Sequence, residues 1–195
     1  MTAAAPVVGV LALQGDYQKH QQMLNSIGVA SYLVRTSDDF AQVDRLIIPG
    51  GESTVIADLL RRFDLHEAFS SFIRSRPVWG TCAGMVLLAA RVNDETVNPY
   101  GVIDIDVDRN GYGRQYFSDI YPAHMELDGA AEDLPLVFIR APRVTRVGAG
   151  VKVLLVHKGD PVILAQNNVL VSAFHPELTS STLMHRHFAF AFARS

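Results

Sequence analysis

Apolar residues in the first half of the chain form short continuous runs, and stretches of helical periodicity lie between them. The run at 7–13 is unbroken, which is typical of a strand covered on both faces. The stretch 17–27 fits a helix that ends near Gly28, a suitable C-cap residue. The remaining predicted elements of this half are strands at 29–34, 44–49 and 77–81, and helices at 54–63 (N-cap Ser53), 66–75 and 83–91. This alternation predicts an open, mostly parallel sheet with helices on both faces and right-handed crossovers.

The second half has a different pattern, with strand-like runs and few helices between them. The predicted strands are 102–107, 119–127, 137–139, 151–157, 162–166 and 169–174. Some of these are expected to add antiparallel strands to the sheet, and a last helix is predicted at 181–193. The whole chain, 1–195, is interpreted as one α/β domain.

Composition narrows the class of protein. The chain has 195 residues, 49% of them apolar and 19% charged, with a net charge of −3. A slightly acidic chain without a Lys/Arg cluster is not expected to bind nucleic acid or an anionic membrane. No apolar run reaches the ~18 residues that span a bilayer. A single cysteine excludes an intrachain disulfide and fits a reducing compartment, so we expect a cytoplasmic protein.

The single cysteine, Cys82, lies where a predicted strand ends and a helix begins, between Gly80 and Gly84. G-x-C-x-G at such a junction has the geometry of a nucleophile elbow, in which glycines allow a sharp turn and the side chain rises above the sheet edge. Ligands of open α/β sheets bind at that edge, beyond the carboxyl ends of the strands. A small buried residue at a tight turn is an equally good interpretation of Cys82 taken alone.

A base for such a nucleophile is offered by His175, which follows the strand predicted at 169–174 and therefore belongs to the same edge. Pro176 keeps it extended, and Glu177 lies close enough to bind one imidazole nitrogen while the other faces the thiol. This is the order of nucleophile, base and orienting residue. A histidine at a strand end beside a surface glutamate is the alternative.

The other histidines show no spacing typical of metal ligands. His185 and His187 are two residues apart on a predicted helix and do not share a face. They are expected on the outside, or one of them at the contact between helix and sheet. No metal site and no cofactor are predicted.

A glycine pair, Gly50-Gly51, follows the third predicted strand in PGGEST and reaches the same edge. Glycines let the backbone approach a ligand and present N–H groups to it. An N–H from this loop, together with that of Ala83, could form an oxyanion hole. A phosphate-binding loop lacks its G-x-x-x-x-G-K-[ST] pattern here, and a plain turn before a helix remains open.

Taken together, GTCAGM (80–85), PGGEST (49–54) and FHPE (174–177) resemble the class I, triad-type glutamine amidotransferases. LALQGD (11–16), DRNGYGRQ (108–115) and VFIRAP (137–142) narrow the resemblance to the glutaminase subunits of pyridoxal 5′-phosphate synthases. The resemblance covers nearly the whole chain.

This resemblance implies a flavodoxin-like three-layer sandwich and hydrolysis of L-glutamine to glutamate and ammonia. It also implies a partner, the (β/α)₈-barrel synthase subunit, which receives the ammonia. Family complexes have a dodecameric synthase core with up to as many glutaminase subunits outside it.

The resemblance also assigns roles to particular residues. It implies Cys82 as nucleophile, His175 as base and Glu177 as the orienting residue. The implied glutamine-binding residues are Gly51, Glu52, Ser53, Arg109, Ile139 and Arg140, the oxyanion hole is formed by Gly51 and Ala83, and Gln14 lies near the oxyanion loop and the partner interface.

Besides a short link between the helix after Cys82 and the DRN motif, the chain departs from the family pattern at two places. Lys19 stands before His20 where the family usually has glutamate, and Tyr116-Phe117-Ser118 replace an acidic-Ser-Phe pattern. These changes bear on docking to the partner rather than on the chemistry.

Three other functions fit parts of the pattern. They are a different cysteine-elbow hydrolase such as a peptidase or deglycase, a non-catalytic binding module, and an amidotransferase that feeds another ammonia acceptor. The HPE and GGEST motifs argue against the first, the intact triad against the second, and DRNGYGRQ with VFIRAP against the third.

Overall fold

A computed structural model describes residues 5–113 and 119–193. The strands are β1 (Val8–Leu11), β2 (Ser31–Val34), β3 (Arg45–Ile48), β4 (Val78–Thr81), β5 (Ala89–Val92), β6 (Ile103–Asp108), β7 (Asp119–Tyr121), β8 (His124–Leu127), β9 (Ala130–Asp133), β10 (Leu136–Phe138), β11 (Arg143–Val147), β12 (Lys152–His157), β13 (Asp160–Gln166) and β14 (Val169–Ser172). The α-helices are α1 (Tyr17–Ser26), α2 (Ser53–Arg62), α3 (His66–Ser75), α4 (Ala83–Leu88) and α5 (Leu183–Arg186).

A seven-stranded sheet in the order β12-β13-β14-β4-β3-β1-β2 runs through the molecule. The five strands from β14 to β2 are mutually parallel, while β13 and β12 add antiparallel to the β14 edge. β1, β3, β4 and β14 are buried along their whole length, as their continuous apolar runs predict. Helices α1 and α5 pack together, and α2 contacts both α3 and α4. The predicted mostly parallel sheet with antiparallel additions in the second half is confirmed.

This topology places the segments that follow four strands at one edge of the sheet. Since β1, β3, β4 and β14 are parallel, the residues after each of them meet beyond their carboxyl ends. The segments concerned begin at Ala12, Pro49, Cys82 and Ala173. The sheet therefore brings together four motifs that are far apart in the sequence.

The helix predicted at 83–91 is wrong at its end, because α4 stops at Leu88 and the chain continues as β5. The returning segment explains the stop. The N–H groups of Tyr100, Gly101 and Val102 donate to the carbonyls of Leu87, Ala89 and Leu88. These carbonyls are therefore not available to the N–H groups of a further helical turn. The chain continues as β5, which pairs in parallel with β6 in a second sheet of order β11-β6-β5.

The single strand predicted at 119–127 is also wrong, because it divides at Pro122 into β7 and β8. β7 pairs with β10, while β8 forms a hairpin with β9, a strand that the pattern did not predict. The hairpin turn Asp128-Gly129 has positive φ at both residues, as an Asp-Gly turn between paired strands requires. β11 was likewise not predicted.

Three local predictions have mixed outcomes. Gly28 follows the last turn of α1 with a φ of 72°, which confirms it as the terminating residue. Ser53 is not an N-cap but the first residue of α2, preceded by Glu52. The last helix begins at Leu183 as α5 and widens into a π-helical turn, His187–Ala191. Among the described helices, none is long and apolar enough to cross a membrane.

Candidate active site

Cys82 occupies a strained turn between β4 and α4. Its φ of 47° and ψ of −102° lie outside the regions that L-residues prefer. Its backbone N–H donates to the carbonyl of Ser172 at 2.8 Å, which ties the turn to the neighbouring strand β14. The residue is 6% exposed and its side chain lines a pocket. A strained turn between a strand and a helix is what the predicted nucleophile elbow requires. Strain of this kind is common at functional sites.

The two flanking glycines are required for backbone packing. A Cβ on Gly80 would lie 2.5 Å from the carbonyl carbon of Gly84, and one on Gly84 would lie 2.4 Å from the carbonyl oxygen of Ile48. Both contacts are with backbone atoms, which cannot rotate away. Helix α4 can therefore start directly behind Cys82 only because neither position carries a side chain.

His175 and Glu177 form a buried pair after β14. The Nδ1 of His175 lies 2.7 Å from Oε1 of Glu177, and the backbone N–H of His175 donates to Val137. A carboxylate only accepts, so Nδ1 carries the proton and Nε2 is left for the thiol of Cys82. Burial by itself lowers the pKa of His175, but hydrogen bonding and charge from Cys82 and Glu177 raise it to about 10.

Glu177 is held in its ionised form although it is 3% exposed. Burial raises the pKa of this carboxyl, but His20 and His175 together shift it below its ordinary value. His20, on α1, was not assigned a role from the sequence, and no local pattern would have revealed one, because 157 positions separate it from Glu177. The structure brings the predicted nucleophile, base and orienting residue together at one edge.

The glycine loop after β3 makes room for two side chains. A Cβ on Gly50 would lie 2.3 Å from Cε1 of His175, and one on Gly51 would lie 2.3 Å from Oε1 of Gln14. The backbone N–H of Glu52 donates to that same oxygen of Gln14 at 2.8 Å. The loop is thus fitted around the histidine on one side and around the LQGD segment on the other.

Two guanidinium groups border the mouth of the pocket, and Glu52 connects them. Its carboxylate accepts from Arg109 at 3.1 Å and from Arg140 at 2.8 Å. Arg109 also donates to Asp94 at 2.7 Å, a partner that the sequence did not predict. Hydrogen bonds from Thr96 and from Arg109 lower the pKa of Asp94 to about 2. The cations are therefore held in place by surrounding carboxylates.

The pocket itself has a volume of about 270 Å³. It is lined by predicted site residues: Gln14, Gly51, Glu52, Ser53, Cys82, Ala83, Arg109, Ile139, Arg140 and His175. Glu177 stands behind His175. The carbonyl of Ile139 lies 4.0 Å from the sulfur of Cys82. Ser53 has a buried hydroxyl without a hydrogen-bond partner among the described residues, so it could accept or donate to a bound molecule.

The two departures from the family pattern have different positions. Lys19 is exposed on α1 and, with Asp16 and Gln22, lines a separate surface crevice. Residues 116–118 lie outside the described residues, as do Arg114 and Gln115 at the end of the DRNGYGRQ motif.

Among the described residues, Asp16, His175 and Glu177 bring atoms of metal-ligand type within 4.8 Å of one another. Two of the three are already paired to each other as base and orienting residue. The expectation that the site works without a metal stays a prediction.

Comparison with known proteins matches residues 10–194 to the model of the SNO glutamine amidotransferase family. The chain is 44% identical over 181 residues to the pyridoxal 5′-phosphate synthase subunit PdxT of Francisella philomiragia, covering 93% of this chain and 96% of that one. It is 43% identical over 182 residues to the subunit of the same name from Thermosipho africanus, again with 93% and 96% coverage.

Solved structures agree with the sequence relatives. One structure titled as a glutamine amidotransferase superposes with a TM-score of 0.82 at 38% identity, over 93% of this chain and 96% of that chain. A putative GMP synthase subunit from Thermoplasma acidophilum has a TM-score of 0.65 at 13% identity, over 95% and 92%. The second similarity concerns the fold alone.

Proposed function

The chain belongs to the SNO glutamine amidotransferase family, and on this premise we propose that it hydrolyses L-glutamine to L-glutamate and ammonia as the glutaminase subunit of a pyridoxal 5′-phosphate synthase. The observation that carries the proposal is the strained Cys82 in a pocket beside His175, whose Nδ1 lies 2.7 Å from Glu177. A thiol, a base and an orienting carboxylate are the parts that covalent amide hydrolysis requires.

In the first half of the reaction, His175 takes the proton of Cys82 and the sulfur attacks the side-chain amide carbon of glutamine. The oxygen of the tetrahedral intermediate carries a negative charge. Backbone N–H groups of Gly51 and Ala83 are proposed to stabilise it, since both residues line the pocket with Cys82. The carbon–nitrogen bond then breaks, and His175 returns its proton to the departing ammonia.

In the second half, a γ-glutamyl thioester on Cys82 is hydrolysed. His175 removes a proton from water, the hydroxide adds to the thioester carbon, and the sulfur leaves as glutamate forms. Glu177 keeps Nδ1 protonated throughout, so that Nε2 always faces the reacting atoms. The pKa of His175, raised to about 10, fits a residue that must hold a proton beside the sulfur.

Recognition of glutamine is assigned to the charged mouth of the pocket. Its α-carboxylate suits the guanidinium groups of Arg109 and Arg140, and its ammonium suits the carboxylate of Glu52. Ser53 offers a hydroxyl that has no partner within the described part of the chain, and Ile139 offers its backbone near the sulfur. Because Glu52 already bridges both arginines, substrate must share or displace these ion pairs as it enters.

The relatives named PdxT are subunits of pyridoxal 5′-phosphate synthase, so the partner that accepts the ammonia is assigned to be the synthase subunit. Following the resemblance, this is a (β/α)₈ barrel in a dodecameric core that carries up to as many glutaminase subunits. Gln14 accepts a hydrogen bond from the backbone N–H of Glu52, in the glycine loop after β3, and through this bond it would transmit the effect of partner docking to the active site. The assembly is assigned to the cytoplasm.

The test is glutamate release measured with and without the cognate synthase subunit. We expect strong stimulation by the partner. Cys82→Ala should bind glutamine without releasing ammonia, whereas Glu177→Gln should retain part of the activity, because an orienting residue contributes less than the nucleophile. Turnover by Cys82→Ala would contradict the assigned nucleophile.

The other outcomes distinguish the alternatives. Activity that ignores the synthase subunit would point to another ammonia acceptor or to a self-sufficient hydrolase. No glutaminase activity in either condition would favour a non-catalytic module, and trapping of Cys82 by a peptide but not by glutamine would favour a peptidase.

A further inference from the structure

Two histidines outside the triad are fully buried behind it. His20, on α1, and His185, on α5, are both 0% exposed, and their rings meet with Nδ1 of His20 3.0 Å from Nε2 of His185. Both rings pack edge-on against Trp79. Buried imidazoles are uncommon without a defined partner, and the reaction described above uses neither of them.

The contacts of His20 lead directly to Glu177. Nε2 of His20 lies 3.3 Å from Oε2 of Glu177, and 3.4 Å from the hydroxyl of Thr81. The other carboxylate oxygen, Oε1, is occupied by His175. Among the described residues, Oε2 has no hydrogen-bond partner: the imidazole lies within ion-pair distance of it but is not in hydrogen-bonding geometry. Bonds around reacting groups commonly form fully only when the substrate is bound, and the bond from His20 to Oε2 is inferred to be of this kind.

From these contacts we propose that His20 is a positioning residue of the glutaminase reaction: its Nε2–H holds the second oxygen of Glu177, and His185 fixes the tautomer that supplies this proton. The inference rests on the function proposed above. It extends the triad to a chain of five side chains, in the order Cys82, His175, Glu177, His20 and His185.

Proton counting gives the direction of each bond. Burial lowers the pKa of both His20 and His185, so each ring is neutral and carries one N–H. If His20 donates from Nε2 to Glu177, its Nδ1 must accept, and His185 must donate from Nε2. The Nδ1 of His185 is then a lone acceptor, and it is the ring nitrogen that lacks a partner among the described residues. An unpaired buried acceptor is more common than an unpaired donor.

The surroundings of His20 act on its charged form. Burial and His175 disfavour the imidazolium, Glu177 and Asp16 favour it, and the pKa of the ring stays below its ordinary value. Thr81 adds a hydroxyl, and Trp79 is occupied because its Nε1–H donates to Ser172. Glu177 is therefore the strongest acceptor within reach of Nε2 of His20.

The experiment compares His20→Gln with His20→Asn in the complex with the synthase subunit. A glutamine amide reaches the position of Nε2 and can still donate to Glu177, whereas an asparagine amide ends near Nδ1 and cannot. We expect His20→Asn to lower kcat by about 10-fold while KM stays within about twofold, as for residues that act through another residue. His20→Gln should keep most of the activity.

A second readout needs neither glutamine nor the partner. Because Cys82 is the single cysteine of the chain, its alkylation by iodoacetamide can be followed across pH. In His20→Asn, Glu177 should hold its proton to higher pH and orient His175 less well. The pH below which alkylation of Cys82 slows should therefore be higher than in the wild-type chain. If the wild-type chain shows no glutaminase turnover, the proposed function fails, and alkylation still tests His20.

Leu24→Val is the matched control, since Leu24 is buried on the same helix and is not part of the site. It should lower the urea midpoint without changing kcat or the alkylation profile. The proposal would be overturned if His20→Gln and His20→Asn lost equal shares of kcat. It would also be overturned if Leu24→Val lost as much kcat as His20→Asn for a similar fall in the urea midpoint. Should His20→Asn fail to fold, His185→Met, which removes the donor to Nδ1, is compared with His185→Gln: a loss confined to His185→Met supports the chain, and equal activity refutes it.

Discussion

Cys82 shows how a single residue can be held in an unfavourable conformation. Its positive φ costs on the order of 1–3 kcal/mol, which must be offset by the surroundings. The bond from its N–H to Ser172 and the close packing of Gly80 and Gly84 supply that support. The side chain is left at the pocket wall with glycines on both sides. The residue is only 6% exposed, but it lines the pocket, and a bound molecule would meet the sulfur from that side.

At the same scale, His175 should make stability depend on pH. Its pKa rises from 6.5 in the unfolded chain to about 10 in the folded one, so the folded state holds an extra proton between these values. This contribution is fully present below about pH 6.5 and is lost as the pH rises through about 10. We expect the free energy of unfolding in urea to fall over that window by about 1 kcal/mol or more.

The same titration in two variants checks the cause. Cys82→Ala and Glu177→Gln each remove one of the groups that raise the pKa of His175, so the decline should be smaller in both. A decline of unchanged size in both variants would show that other groups produce it.

At the scale of elements, the site depends on how closely α4 starts behind β4. A Cβ on Gly84 would lie 2.4 Å from the carbonyl oxygen of Ile48 in β3. We expect Gly84→Ala to push α4 away from the sheet, to lower the free energy of unfolding by about 1–3 kcal/mol, and to reduce glutaminase activity by displacing Cys82. Urea denaturation and glutamate release measure the two effects.

Gly28→Ala is the control for that substitution. Gly28 has a φ of 72° but open space where its Cβ would stand, so the change costs about 1 kcal/mol in backbone strain. It lies at the end of α1, away from the pocket, and activity should be unchanged. Full activity in Gly84→Ala would show that α4 can shift without moving the nucleophile.

At the scale of the whole molecule, Arg45 joins the sheet to the end of the chain. This buried side chain at the start of β3 donates to the carbonyls of Phe188 at 3.0 Å and Phe192 at 2.5 Å. Arg45→Met keeps the apolar stem but removes these donors. It should lower the free energy of unfolding by about 1.5–3 kcal/mol, the range for hydrogen bonds to charged groups.

An exposed arginine provides the comparison. Arg62 on α2 forms an i,i+4 ion pair with Asp58 at 2.7 Å, and its side chain is 71% exposed. Arg62→Met should cost no more than about 0.5 kcal/mol, because water competes for exposed charges. Equal effects of the two substitutions in urea denaturation would mean that Arg45 does not anchor the last turns.

Sequence reasoning identified the seven strands of the main sheet and the turns after them because both are encoded locally. A continuous apolar run predicts a strand buried on both faces, and parallel strands place their following turns at one edge. The nearness of Cys82, Gly51 and His175 follows from that rule alone. The resemblance then supplied Arg109, Ile139 and Arg140, which local patterns could not select, and all three line the same pocket.

The sequence by itself therefore determined the strand–turn motifs and the type of sheet, since each depends on residues within a few positions of one another, and it predicted the roles of Cys82, His175 and Glu177. Only the tertiary structure decided where α4 ends and that Asp94 holds Arg109. It also decided that His20 and His185, 165 positions apart, meet behind Glu177. The meeting of His20 and His185 depends on how α1 and α5 pack together beside the finished sheet, and a packing choice of this kind leaves no periodic signal along the chain.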